Sequence, residues 1–442
     1  MTRANVERLP QWRHLEADLR EAIRVVSTVL PFRTNEYVVQ ELIDWDQVPD
    51  DPMFQLTFSQ RGMLTDADYA TMARLASRGA PKEEIERAAN EIRYRLNPHP
   101  AGQMTHNVPT LQCEPLQGIQ HKYQETVLFF PSRGQTCHAY CTFCFRWAQF
   151  VGLKDLRFAA ADVDQLLQYL RQHPEVTDVL ITGGDPMVMK TRVLRHYIEP
   201  LLEVEHLATI RIGTKAVAYW PQRFVTDDDA DDLMRLFEQV ADGGKQLAVM
   251  GHYTHPVELS TDIAQRAIRR IRSAGANVRM QSPVVRHVND DPATWADLWR
   301  SGVRLGCIPY YMFVERDTGA QNYFELPLLE CWQIFRDAYN QVSGLCRTVR
   351  GPSMSALPGK VRIVGVTDWG NQRVFVLEYL QARNPAWVRR PFFAEFDPEA
   401  TWFDQLQPAR PRDRKFLALD GERGPSATVP LEFSHRTIAH RR

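Results

Sequence analysis

Two patterns of apolar positions divide the chain. Up to about residue 115, apolar residues recur at helical spacing over 15–29, 65–77 and 81–96. Thr65, with Asp68 three residues on, is close to a capping box. Asn97-Pro98-His99-Pro100-Ala101-Gly102 breaks the last of these helices. Beyond this region, short apolar runs alternate with amphipathic stretches. Strands are expected at 126–130, 176–182, 208–213, 246–250, 277–281 and 307–313. Helices are expected between them at 161–172, 192–202, 228–240, 260–274 and 293–301, with a further one at 325–341.

Strands in series with intervening helices imply an α/β fold with a parallel sheet and outer helices. Successive apolar residues in the strands fit burial on both faces. Six units are too few for the eight-stranded barrel, so a partial (β/α)6 TIM-like barrel is expected. The expected division is a helical N-terminal region (1–115), the barrel (116–350) and a C-terminal segment (351–442). That last segment opens with a loop rich in Gly, Ser and Pro over 351–360. It continues with a hairpin at 361–366 and 373–379 and ends in an irregular extension from about 381.

Composition changes this picture little. Of 442 residues, 44% are hydrophobic and 24% charged, as in an ordinary globular protein. The formal net charge of -1 gives no global field that would favour nucleic acid or an anionic membrane. The apolar runs are too short to span a bilayer. The first twenty residues are charged and lack an apolar signal core, so a cytoplasmic location is expected.

The cysteines carry the first chemical signal. Cys113, Cys307, Cys331 and Cys346 are scattered, while Cys137, Cys141 and Cys144 fall within eight residues, just after the first buried strand. In a reducing compartment such a cluster points to metal binding or catalysis rather than disulfides. Three thiolates suit an iron–sulfur cluster with one iron left open for a small molecule. A zinc site with His138 as fourth ligand is the competing reading of the same residues.

Thr182-Gly183-Gly184-Asp185-Pro186 follows the second strand. Glycines there permit close backbone approach to a ligand, and Asp185 can accept hydrogen bonds from an ammonium group. On the bare sequence, the run also reads as a strand-to-helix turn with Asp185 as cap.

The C-x3-C-x2-C spacing, with Phe143 before the third cysteine, resembles the signature of the radical S-adenosylmethionine (SAM) superfamily. The likeness extends further, to the lysine 2,3-aminomutase family. It is carried by 118–123, by Arg146 two residues after the cluster motif, by 181–186 and by Arg211-Ile212-Gly213-Thr214-Lys215. Pro221-Gln222-Arg223, 252–256, 281–290 and Pro309-Tyr310-Tyr311 continue it in order along the chain.

The resemblance implies a radical SAM barrel and a [4Fe–4S] cluster on Cys137, Cys141 and Cys144. SAM would bind at the open iron, its adenine by the backbone beside Phe143 and its amino group by Gly183, Gly184 and Asp185. Reductive cleavage of SAM to a 5′-deoxyadenosyl radical would drive a 1,2-amino shift on an amino acid substrate. The electron would come from a reductant such as flavodoxin or ferredoxin, and homo-oligomers occur among the relatives. The family also uses pyridoxal 5′-phosphate (PLP). Lys360 matches its anchoring lysine, and Lys122 the position of an arginine that reaches the PLP phosphate. A second arginine of the family is replaced by Thr126, and the glycine run before the lysine is reduced to Gly359. Taken alone, Lys360 also fits a solvated surface lysine.

Arg146 matches the arginine that pairs with the substrate carboxylate, a task suited to a planar bidentate group. Lysine-acting members place an aspartate where this chain has Arg316. An arginine there repels a lysine ammonium and favours an acidic or polar side chain, such as that of glutamate. The alternatives are a PLP-independent radical SAM enzyme on this scaffold (an epimerase, dehydrogenase or eliminase) and a non-catalytic iron–sulfur or zinc protein.

Overall fold

A computed structural model describes residues 1–418 of the chain. Three main helices, α1 (Ala17–Val29), α2 (Asp66–Ser77) and α3 (Lys82–Arg95), dominate the N-terminal region. Thr65 caps α2, its hydroxyl accepting from Asp68 N at 3.2 Å.

An eleven-stranded sheet follows. Its strands are β1 (Ile119–Tyr123), β2 (Thr126–Phe129), β3 (Asp178–Ile181), β4 (Thr209–Thr214), β5 (Gln246–His252) and β6 (Asn277–Val284). It continues through β7 (Ile308–Val314), β8 (Arg350–Ser355), β9 (Gly359–Trp369), β10 (Gln372–Ala382) and β11 (Pro391–Glu395). The strands lie side by side in chain order. Strands β2 to β8 are all parallel, while β1 and β9 to β11 pair antiparallel.

Six crossover helices join the parallel strands: α4 (Asp164–Gln172), α5 (Thr191–Leu202), α6 (Ala230–Asp242), α7 (Asp262–Ser273), α8 (Pro292–Arg304) and α9 (Leu328–Asn340). Helix α7 shows the rule they follow. Ala264, Ala267, Ile268 and Ile271 form its buried stripe, and Thr261 caps it through Ala264 N. The architecture is a partial TIM-like barrel.

Two sequence expectations change. The parallel run has seven strands rather than six, because 350–355 is a strand and not a loop. Its Arg-Gly-Pro-Ser-Met-Ser composition is poor in strand formers, yet Ser353 and Met354 are fully buried beside β7. The segment beyond residue 381 also contains a strand, β11, paired with β10. The last part of the expected extension, 419–442, lies outside the described residues.

The strand faces differ as well. Val127, Phe129, Val179, Ile181, Ile210 and Ile212 are buried in the hydrophobic core. Thr126, Asp178 and Arg211 alternate with them and line a central cavity instead. The sheet curls until its far end nears β1. Lys122 Nζ donates to Ala356 O, and Arg383 Nη1 donates to His106 O at 3.1 Å.

Gly118, just before β1, has φ +77, and a Cβ there would lie 1.9 Å from Ala160 N. The blocking atoms are the backbone of Ala159 and Ala160, which has little room to yield. Gly118→Ala is therefore expected to destabilise the fold by about 3 kcal/mol, combining left-handed strain with overpacking. Thermal unfolding of the purified variant checks this.

Candidate active site

One cavity of about 610 Å³ opens inside the curved sheet. Cys137, Cys141, Cys144, Phe143, Arg146, Gly183, Gly184, Asp185, Arg316, Lys122 and Lys360 all line it. Residues chosen from segments more than 200 positions apart thus meet in one space.

The cysteine loop leaves the C-terminal end of β2, where a barrel presents its chemistry. Distant segments brace it. Arg33 Nη1 donates to Thr136 Oγ1 at 2.8 Å and to Cys137 O at 3.1 Å. Tyr140 N donates to Arg33 O at 2.8 Å, and Thr142 N to Leu56 O at 2.9 Å. All three thiols are unpaired and half-buried. Burial pushes the Cys137 thiol well above its ordinary range, Cys141 up to about 12 and Cys144 to about 11. Without a metal the thiols hold their protons; a bound metal would displace them. The three thiols line one cavity and are of the donor type that an iron–sulfur cluster takes; among the described residues no three His, Cys, Asp or Glu side chains stand close enough to hold a single metal ion. His138 instead stacks against Trp220, with ring centroids 5.8 Å apart.

Asp185 is 2% exposed, and its carboxylate accepts four hydrogen bonds. Met187 N (2.9 Å) and Thr214 Oγ1 (2.7 Å) reach Oδ1; Lys215 N (2.8 Å) and Ala216 N (3.0 Å) reach Oδ2. The carboxylate is a cap that ties the end of β3 to the end of β4, with no lone pair left for an ammonium. Gly184 packs on the cysteine loop: a Cβ there would lie 2.4 Å from Thr136 N. The glycines therefore bring this turn against the loop, and their backbone also faces the cavity.

Lys215, at the end of the Arg-Ile-Gly-Thr-Lys run, is buried. Its Nζ donates to Glu258 Oε1 (2.5 Å), Thr254 Oγ1 (3.1 Å) and His252 O (3.2 Å). The same ammonium lies 4.4 Å from the Tyr219 ring centroid, and the Tyr219 hydroxyl lies 3.9 Å from Cys141 Sγ. The His-Tyr-Thr-His-Pro segment thus serves as the seat of a buried ion pair beside the cysteines.

At the other end of the cavity, Lys360 projects from β9 rather than from a loop. Its Nζ lies 4.0 Å from the Tyr311 ring centroid. Burial, with Arg211 and Arg350 nearby, pushes its pKa down to about 7. This is a half-buried amine facing the cavity and not a solvated surface lysine. Lys122 is half-buried in the cavity wall, and its pKa falls well below the usual lysine range, first through desolvation and then through Arg383, Arg316 and Lys360. Thr126 Oγ1 donates to Asp178 Oδ2 at 2.8 Å, and Arg211 Nε donates to Asp178 Oδ1 at 2.8 Å.

Arg146 forms no ion pair among the described residues. Its guanidinium carbon lies 4.3 Å from the Phe130 ring centroid and 4.9 Å from that of Phe145. Burial pushes its pKa down to about 9.

Relatives decide the family. No family model matches the chain. A curated protein of Aquifex aeolicus named "Putative L-lysine 2,3-aminomutase" is 31% identical over 385 residues, which is 87% of this chain and 90% of that protein. The chain belongs to the lysine 2,3-aminomutase family. The L-lysine 2,3-aminomutase of Clostridium subterminale is 27% identical over 232 residues, covering 52% of this chain and 53% of the relative. The match to this relative therefore spans about half its length. Among solved structures, a radical SAM methyltransferase from Sphaerobacter thermophilus aligns with a TM-score of 0.38 at 16% identity, over 65% of this chain and 94% of that one.

Membership in the lysine 2,3-aminomutase family makes this a radical SAM enzyme. Its sequence motifs omit several residues that build the site. Arg33 sits 104 positions before Cys137 and has no local signal. Asp178 and Arg211 were detectable only as charges alternating with apolar residues in the strands. Among the described residues, no helix is long and apolar enough to cross a membrane.

Proposed function

We propose that this enzyme moves the amino group of an α-amino acid between neighbouring carbons, using a [4Fe–4S] cluster, SAM and PLP. The observation that carries the proposal is that the three cysteines and Lys360 line the same cavity. When bound, the cluster and SAM supply an electron and a 5′-deoxyadenosyl radical able to remove a substrate hydrogen. Lys360 and Lys122 would hold PLP, which would supply a π-system for the amine of the substrate.

The chain's own residues bind, orient and shield. Cys137, Cys141 and Cys144 would hold the cluster. The Gly183-Gly184 backbone and that beside Phe143 receive SAM, with Asp185 fixing the turn rather than touching the ligand. Arg146, beside the Phe130 and Phe145 rings, receives the substrate carboxylate; an anion beside it offsets the cost of burying its charge. Lys360, half neutral at about pH 7, offers a nucleophilic amine for PLP. Lys122 lies within the cavity as a point charge for the phosphate. Tyr311 and Phe313 give Lys360 an apolar floor, which limits access of water to a radical.

Chemistry without PLP on this scaffold draws on one observation. Lys122 Nζ is bonded to Ala356 O and the Thr126 hydroxyl to Asp178, so neither is idle. The experiment is anaerobic reconstitution with iron and sulfide, then incubation with SAM, dithionite, PLP and an amino acid panel. Mass spectrometry is expected to find 5′-deoxyadenosine together with a β-amino isomer. Deoxyadenosine without any isomer, and no PLP absorbance in the protein, would favour the second reading.

A further inference from the structure

Arg316 follows the C-terminal end of β7 and lines the cavity. Its side chain is 15% exposed, yet Nε and Nη2 have no hydrogen-bond partner among the described residues. The nearest acidic oxygen, Asp317 Oδ1, lies 3.9 Å from Nε and is itself unpartnered. Glu315 forms no ion pair with it among the described residues, and burial pushes the Glu315 carboxyl well above its ordinary range. Phe145 and Trp402 hold the guanidinium in place, their ring centroids 5.4 and 5.9 Å from Cζ. Trp147 Nε1 pins the adjacent loop by donating to Thr318 Oγ1 at 2.9 Å.

Nε and Nη2 form the side-on edge of an arginine. Elsewhere in this chain that edge grips carboxylates. Arg211 holds Asp178 with it, and Arg410 holds Asp413 through Nε at 2.6 Å and Nη2 at 3.1 Å. In Arg316 the same fork is buried and vacant, which is costly unless a ligand completes it.

We propose that the substrate is an amino acid with a second carboxylate on its side chain, and that the Nε–Nη2 edge of Arg316 grips that carboxylate. The inference rests on the aminomutase reading for Arg146 as the α-carboxylate site. Both guanidinium carbons lie within 5.4 Å of the Phe145 ring centroid, so at most about 10 Å separates them. An acidic amino acid such as glutamate is long enough to place one carboxylate on each. A lysine would bring its ammonium against Arg316 and be rejected. The PLP phosphate is the other anion that could fill this fork. The shared ring places Arg316 with Arg146; Arg316 also lies close enough to Lys122 to lower its pKa, so retention of PLP by the Arg316 variant separates the two anions.

The test is binding to the reconstituted holoenzyme with SAM, measured anaerobically by calorimetry with L-glutamate, L-aspartate, L-glutamine, L-norleucine and L-lysine. One of the two acidic amino acids is expected to bind about 100-fold more tightly than lysine or norleucine. Arg316→Gln is expected to weaken that binding about 100-fold while leaving PLP absorbance unchanged. Tight binding of glutamate or aspartate without rearrangement would remove the aminomutase reading and leave this inference standing. Preferred binding of lysine, or no binding of either acidic amino acid, would overturn the inference. Loss of PLP from Arg316→Gln with unchanged affinity would make Arg316 a phosphate anchor and overturn it as well. If the variant fails to fold, the selectivity of the wild-type protein decides by itself.

Discussion

Replacing any one of Cys137, Cys141 and Cys144 by alanine is expected to lower formation of 5′-deoxyadenosine by more than about 1000-fold, an added barrier above about 4 kcal/mol. The three thiols come from one loop held from outside by Arg33, Leu56 and Gln55. That bracing positions three sulfurs, and a four-iron cluster held by them would keep one iron without a protein ligand. Removal of one sulfur leaves two ligands on a cluster that needs three, so iron content falls along with activity. The bracing network remains, and each variant should still fold. Cys113→Ala provides the control. That residue is exposed and lies outside the cavity, so iron, sulfide and deoxyadenosine yields should match wild type. Iron analysis and mass spectrometry of the four variants read the contrast directly.

Lys360→Ala is expected to abolish the PLP absorbance and to reduce the amino shift by more than about 1000-fold. Reductive cleavage of SAM should survive, because the cysteines lie elsewhere in the cavity wall. The pH dependence follows from the depressed pKa. Only the neutral amine attacks a carbonyl, so capture of PLP by wild-type protein should rise with pH and reach half its limit at about 7. The same shift has a stability counterpart. In the unfolded chain Lys360 titrates at about 10.4, so from about 7 to 10.4 that state binds a proton the native state lacks. Burial of the charge therefore weighs fully below about pH 7, and its cost is relieved as pH rises through that window. Lys360→Met, which keeps the volume and loses the charge, should flatten this part of the stability profile. Absorbance titration and thermal unfolding across pH measure the two effects.

The sequence disclosed what depends on local spacing. The cysteine motif needs only eight consecutive residues. The strands β2 to β7 announce themselves because Val, Ile, Leu and Phe line their outer faces. Strand β8 was hidden because Gly351, Pro352 and Ser353 read as a loop, while neighbouring strands hold them in the sheet. Lys360 was legible by position yet not by environment, since its burial depends on Tyr311, Arg211 and Arg350 from other strands. The inner faces of the strands were misread as apolar because Asp178 and Arg211 neutralise one another across β3 and β4, a pairing that is not local in sequence. Asp185 shows the reverse: its plain reading as a cap already describes the four hydrogen bonds it accepts.

The central claim is that three thiolates hold an open cluster which delivers an electron to SAM. Anaerobically reconstituted protein, mixed with SAM and dithionite and assayed by mass spectrometry for 5′-deoxyadenosine and methionine, tests it most directly. The account predicts both products in equal amounts, dependent on all three cysteines. Zinc bound at those cysteines in protein prepared with iron in excess, with no deoxyadenosine formed, would contradict it.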